Sequence, residues 1–210
     1  MFVTVEGVEG AGKSTLLGLL AGEFERRALP FVRTREPGGC ALGARIRPLL
    51  LDVSSRVDER AELFLFLADR AQHVAETIRP ALQRGAWVLC DRYADSTIAY
   101  QGYGRGMDVE TLQRLNDYAT GGLWPDKTLL LDLPVETGLS RALARNGRDG
   151  LTESEGRFEA EEQAFHQRIR EGFLARAERW PERFCVLDAR LSPEELLACA
   201  LEALGLSRRA

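Results

Sequence analysis

Eight residues near the amino terminus, Gly7-Val8-Glu9-Gly10-Ala11-Gly12-Lys13-Ser14, constrain this chain more than any other segment. They match G-x-x-x-x-G-K-[ST], follow the apolar run Phe2 to Glu6, and lead into a helical pattern that begins near Ser14. A strand, a glycine-rich loop and a helix in that order form a phosphate cradle. The glycines let backbone N–H groups turn inward around phosphate oxygens, and the helix N-terminus adds positive potential at the same place. Lys13 is one of only two lysines in a chain that otherwise uses arginine. It is placed to reach the β- and γ-phosphates of ATP, and the Ser14 hydroxyl to ligate Mg²⁺. Gly7 to Ser14, with Thr15 behind them, are the expected ATP-binding residues. The bland alternative, a tight turn with a chance lysine, is disfavoured by the strand, loop and helix standing in register. The motif alone says only that a polyphosphate is held, because switches, motors and small-molecule kinases share it.

Five short runs rich in β-branched and other apolar residues read as buried strands: Phe2 to Glu6, Pro30 to Thr34, Trp87 to Cys90, Thr128 to Leu133 and Phe184 to Leu187. Between them lie helical spacings such as Leu63, Leu67, Ala71, Val74 and Ile78, with Pro80 expected to end or kink that helix. Alternating strands and helices predict a doubly wound α/β fold, a five-stranded parallel sheet with helices on both faces. The 210 residues, without repeat or linker, read as a single domain, 1–210. Gly102 to Gly106 and Asn146 to Gly156 fit the pattern badly and are expected to be exposed, mobile loops.

Bulk properties remove several classes. A net charge of −4 with no basic block argues against a nucleic-acid surface. No run reaches membrane-spanning length, and the start lacks signal-peptide character. Cys40, Cys90, Cys185 and Cys199 are scattered, as expected of a reduced, cytoplasmic protein.

The second substrate must be read elsewhere. Val88-Leu89-Cys90-Asp91-Arg92-Tyr93 is an apolar strand ending in a carboxylate and a guanidinium. Asp91 is placed to stand near the metal and its waters, and Arg92 to neutralise charge spread over a transferred phosphoryl group. A surface ion pair is the plain alternative. Thr34-Arg35-Glu36-Pro37-Gly38-Gly39 is a rigid turn that exposes backbone to a ligand. Phe66 and Arg70, four apart on one helix, project together at the rim of the Leu63–Leu67–Val74 stripe. By themselves, Phe66 reads as core and Arg70 as a solvated charge or a partner of Asp69 or Glu76. Phe64 reads as core or a dimer interface, and Ser96 as a local hydrogen-bonding residue.

Three runs, G-x-E-G-x-G-K-S at Gly7 to Ser14, T-R-E-P-G-G at Thr34 to Gly39 and D-R-Y-x-D-S-T-x-A-Y-Q-G at Asp91 to Gly102, together resemble bacterial thymidylate kinases in order and spacing. The similarity continues through Arg157-Phe158-Glu159-Ala160-Glu161 and covers essentially the whole chain. The resemblance implies a P-loop nucleoside monophosphate kinase fold with a mobile lid at about 141–160, Mg²⁺ dependence and a homodimer. It also implies transfer of the γ-phosphoryl group of ATP to dTMP, giving dTDP and ADP in dTTP synthesis. By the same resemblance Phe66 stacks on the thymine, Arg70 meets a base carbonyl, Thr97 and Gln101 line the base edge, and Tyr100 packs near the sugar. Arg47 and Arg92 hold the acceptor phosphate, Glu36 and Pro37 complete the dTMP site, and Glu9 lies beside the reacting phosphates, the metal or the sugar hydroxyl. Ser14 and Asp91 are the implied metal residues.

Ala11 stands where some relatives place an arginine, so the resemblance assigns the transition-state arginine to the lid. Arg141, Arg145, Arg148 and Arg157 flank the polar loop. Arg157 is the first choice and Arg148 the second, with a solvated charge an equal alternative for each. The competing functions are a kinase for another acceptor, such as dCMP, dGMP or shikimate, and a GTP-binding switch. An arginine donates to a thymine carbonyl but cannot accept from an amino group, which disfavours cytosine. The switch needs an N-K-x-D run, and the chain offers only Asp126-Lys127, in the wrong order.

Overall fold

A computed structural model of the protein describes residues 1–150 and 156–207. The expected lid at about 141–160 therefore includes five positions, 151–155, outside the described residues. The strands are β1 (Phe2–Gly7), β2 (Phe31–Arg35), β3 (Trp87–Asp91), β4 (Lys127–Asp132) and β5 (Phe184–Asp188). The helices are α1 (Lys13–Arg26), α2 (Ala41–Leu51), α3 (Glu59–His73), α4 (Arg79–Gln83), α5 (Ala94–Thr97), α6 (Val109–Thr120), α7 (Val135–Asp149), α8 (Gln163–Arg179) and α9 (Pro193–Ala203).

All five strands are parallel, in the order β2-β3-β1-β4-β5. The doubly wound reading holds, with strand ends displaced by about a residue. Thr128 to Leu131 of β4 are all buried, as a strand covered on both faces requires. Side chains alternate across β1. Val3 and Val5 join Leu16, Leu17, Leu20 and Phe24 of α1 in the largest core. Phe2 points the other way, into a cluster with Val74, Ile78, Val88 and Tyr93. That alternation sends Glu6 inward on the Phe2 face, where it is fully buried.

Register fixes the site. Val5 pairs with Asp91 on one side and Leu129 on the other, so β1 and β3 end together and deliver the glycine loop and Asp91-Arg92 to one edge.

Three local expectations are corrected. The helix carrying Pro80 does not end there: it widens into a π-helical stretch at Val74–Ile78, in the turn before the proline, and continues as α4 to Gln83. Gly102 and Gly104 are buried, not exposed, in a second π-helical stretch, Ile98–Gly104. A Cβ at Gly104 would stand 2.7 Å from the Phe165 ring, so glycine here serves close packing against α8. Finally, Asn146 to Asp149 are the last turn of α7 and not loop, with Asn146 buried.

Candidate active site

The glycine loop at Gly7 to Ser14 is shaped by its neighbours in the fold. A Cβ at Gly7 (φ +139°) would lie 2.5 Å from the Leu131 carbonyl oxygen, and one at Gly10 (φ +70°) 2.0 Å from that of Gly138. Both positions therefore exclude side chains on packing grounds alone. Val8 and Ala11 are buried beneath the loop. Gly12 caps α1 in the left-handed conformation, and Lys13 opens it. Lys13 Nζ donates to the carbonyls of Gly7 (3.0 Å) and Val8 (2.8 Å). Burial, aided by the charge of Arg92, lowers its ammonium to about 8. Ser14 Oγ donates to Asp91 Oδ2 at 3.3 Å, which joins the cradle to the end of β3.

Arg92 takes φ +67°, a left-handed backbone rare outside glycine. The turn sends its side chain back over β1. Its guanidinium donates to the Gly7 carbonyl at 3.1 Å and to Glu9 Oε1 at 2.9 Å, and lies 5.0 Å from the Tyr100 ring centroid. The Tyr100 hydroxyl donates to the same Glu9 oxygen. Burial opposes ionisation of Glu9, but the charges of Arg92 and Lys13, with the Tyr100 hydroxyl, outweigh it and hold the carboxyl well below the usual range. Below this group Glu6 accepts from the Tyr93 amide (2.8 Å) and Ser96 Oγ (2.6 Å), and Ser96 also lines the cleft.

One cavity of about 300 Å³ touches Lys13, Ser14, Glu36, Pro37, Arg47, Phe66, Arg70, Asp91, Arg92, Thr97, Tyr100 and Gln101. Residues far apart in the sequence, from the glycine loop to the flank of the expected lid at Arg145 and Phe158, thus converge on one cleft. Arg70 is 1% exposed and not solvated. Its Nε donates to Glu36 (2.8 Å), Nη1 to Thr97 (2.7 Å) and Asn116 (2.6 Å), and Nη2 to the Tyr93 carbonyl (3.1 Å). These use four of its five N–H groups. Asp69 and Glu76 are not the partners; Glu36, which His73 Nδ1 also contacts at 2.8 Å, is. Phe66 is half-buried against Phe158, with centroids 6.3 Å apart, and Arg47 Nη1 donates to the Pro37 carbonyl at 2.9 Å. Phe64, at 61% exposure, is not core.

A neighbouring groove is lined by Gly10 to Leu16, Arg141, Arg145, Arg148 and Pro193. The arginines divide differently from expectation. Arg157 lines neither cleft: its guanidinium contacts Glu62 at 2.7 Å and the Leu50 carbonyl at 3.0 Å. Arg148 lines only the second groove, whereas Arg145 lines both. Arg145 Nη2 donates to Asn146 Oδ1 at 2.9 Å.

A model of the family described as thymidylate kinase matches residues 5–198. A thymidylate kinase of Desulfovibrio desulfuricans is 59% identical over 97% of this chain and 95% of its own length. The chain belongs to the thymidylate kinase family. A relative from Gloeobacter violaceus, also a thymidylate kinase, is 54% identical over 92% of this chain and 89% of its own. The crystal structure of thymidylate kinase from Ehrlichia chaffeensis superposes with a TM-score of 0.78 at 32% identity, covering 97% of this chain and 98% of that one. This thymidylate kinase fold contains no described helix long and apolar enough to cross a membrane.

Several side chains that organise the site are not marked for that role by the sequence. Glu62 is fully buried and accepts from Gln101 Nε2 at 2.8 Å while pairing with Arg157. Asp95, inside the third motif, is clamped by Arg176 (2.9 Å) and Arg183 (2.5 Å). Asn116 and His166 complete the set. The groups they face, Arg70 for Asn116 and Glu9 for His166, lie far along the chain, so no local spacing announces them. Only the scarcity of histidine, two in all, is a hint.

Proposed function

We infer that the protein transfers the γ-phosphoryl group of ATP to dTMP, giving dTDP and ADP for dTTP synthesis. The observation that carries this reading is Arg70: four N–H groups held by the protein leave one for a carbonyl acceptor in a cleft that continues to the phosphate loop. Thymine offers that carbonyl, and Phe66 supplies an aromatic face. Cytosine would present an amino donor to a donor.

The acceptor phosphate is already an anion, so a general base is unnecessary. One of its oxygens attacks the γ-phosphorus as the bond to the β–γ bridging oxygen breaks and ADP leaves. Catalysis is then positioning and charge stabilisation. Lys13 meets the β- and γ-phosphates, and Arg92 and Arg47 take the acceptor phosphate. Arg145, at the junction of the two clefts, is the lid arginine best placed for charge developing between donor and acceptor. Glu9, held ionised, serves as an anchor for Arg92 and Tyr100, and Tyr100 closes over the sugar. Ser14 and Asp91 supply two hard oxygen donors 3.3 Å apart beside the cradle, a set that suits Mg²⁺, which binds through few protein oxygens plus phosphates and water. When bound, that ion neutralises phosphate charge.

The protein acts as one domain with a lid, as a homodimer in the cytoplasm. Exposed Phe64 and Leu49 on adjoining helices support the dimer, and free cysteines fit a reducing compartment. Sedimentation of Phe64→Glu should show monomer if that face pairs. ADP formation that depends strictly on added dTMP, and fails with dCMP or dGMP, tests the activity; ADP release without acceptor would refute it.

A further inference from the structure

Behind Glu9, and outside the cavity lining, His166 projects from α8 and is 1% exposed. Its Nδ1 lies 3.5 Å from Glu9 Oε2, longer than a formed hydrogen bond. Among the described residues, neither imidazole nitrogen has a hydrogen-bond partner, and neither does Glu9 Oε2. Buried polar atoms without partners are uncommon, and here three of them meet at one place. The other carboxylate oxygen, Oε1, already takes Arg92 and Tyr100. The carboxylate is thus fixed at one oxygen and unfixed at the other.

We propose that His166 is a positioning residue that clamps Glu9, donating Nδ1–H to Oε2 when nucleotide is bound, so that Tyr100 and Arg92 are held over the sugar and phosphate. This rests on the acceptor-site reading given above. The proton belongs on Nδ1, because no described acceptor meets Nε2, and a proton there would be buried unpaired. An apolar side chain would fill the same space beside Phe165, whose ring centroid is 5.6 Å away, without leaving nitrogens bare. Clamping Glu9 at both oxygens prevents the carboxylate from turning, and a turn would release the Tyr100 hydroxyl. Loss of His166 should therefore weaken discrimination against a ribose 2′-hydroxyl as well as slow turnover.

The chain has two histidines, His73 and His166, so nitrogen NMR of ¹⁵N-histidine-labelled full-length protein resolves both, with His166→Phe giving the assignment. With dTMP and a non-hydrolysable ATP analogue bound, the expected signature is a protonated Nδ1 and a bare Nε2; the opposite tautomer overturns the clamp. In kinetics, His166→Phe should lower kcat/KM for dTMP by about tenfold, the loss of one hydrogen bond to a charged group. It should also narrow the dTMP to ribothymidine monophosphate ratio, and His166→Asn, which keeps a donor, should restore most of both. Equal losses in the Phe and Asn variants, or an unchanged sugar ratio in a Phe variant that melts like the parent, reject the proposal. If the parent enzyme itself fails to phosphorylate dTMP, the acceptor reading falls instead, while the tautomer measurement still judges the clamp.

Discussion

Arg70 Nε donates to Glu36 Oε2 at 2.8 Å in a place where each side chain is only 2% exposed. This pair ties the helix expected to read the base to the turn after β2. Removing Glu36 leaves a buried cation short of its counter-charge. Glu36→Ala should cost about 3–5 kcal/mol of stability, read from urea unfolding, and Glu36→Gln less, since a carbonyl acceptor remains. An alanine variant as stable as the parent would show that the guanidinium is not dependent on this partner.

Among the described residues Lys13 Nζ hydrogen-bonds the Gly7 and Val8 carbonyls, and it carries no part of the core. Lys13→Ala should keep its melting temperature within a few degrees and lose phosphoryl transfer by about 10²-fold or more. A folded variant with near-normal kcat would remove the loop lysine from the mechanism.

The arginines flanking the lid can be separated by kinetics. Arg145→Ala should lower kcat by about 10²- to 10³-fold at saturating substrates. Arg157→Ala should act chiefly on stability, because its guanidinium is engaged by Glu62 and the Leu50 carbonyl. If kcat falls with Arg157 and survives loss of Arg145, the roles are reversed.

Tyr100 and Phe66 should respond differently to substrate changes. Tyr100→Phe removes the hydroxyl bonded to Glu9, and Tyr100→Ala opens space, so the preference for deoxyribose should shrink in the alanine variant above all. Phe66→Ala should weaken dTMP by about 0.5–1.5 kcal/mol beyond area burial with little change in the sugar ratio. Measuring kcat/KM for ribo and deoxy substrates in each variant decides it. An unaltered sugar ratio in Tyr100→Ala would displace Tyr100 from that role.

Burial, with the charge of Asp95 adding to it, raises the Glu6 carboxyl from 4.5 to about 7. Between those two values the folded protein keeps a proton that the unfolded chain has released. The stability this supplies is greatest below the lower value and is lost as pH rises through the window, by at most about 3 kcal/mol. Glu6→Gln cannot titrate, so its melting temperature relative to the parent should climb between pH 5 and pH 8. A difference flat across that range would mean Glu6 is ionised in the fold throughout.

The cradle at Gly7 to Ser14 and the five strands were legible because each is written in contiguous residues: glycine spacing, a lysine and apolar runs of strand length. Arg70 was legible as a position and not as an environment. Its neighbours in sequence suggested Asp69 or Glu76, while its partner, Glu36, is thirty-four positions away. Gly102 to Gly106 misled for a related reason. Glycine signals a turn when a chain is read locally, but Gly104 is there to admit Phe165, which only the packing of α8 reveals.

By itself, then, the sequence determined the alternating strand and helix pattern, the phosphate loop, and the family to which its motifs point, since hydrophobic period and local backbone freedom are properties of neighbouring residues. Only the tertiary structure decided which charges meet. It joined Glu62 to Gln101 and Arg157, set Arg145 at the junction of two clefts, and brought His166 behind Glu9. Those pairings depend on strand order and helix docking, where the loss of water around a buried charge makes its partner matter, and no spacing along the chain encodes that choice.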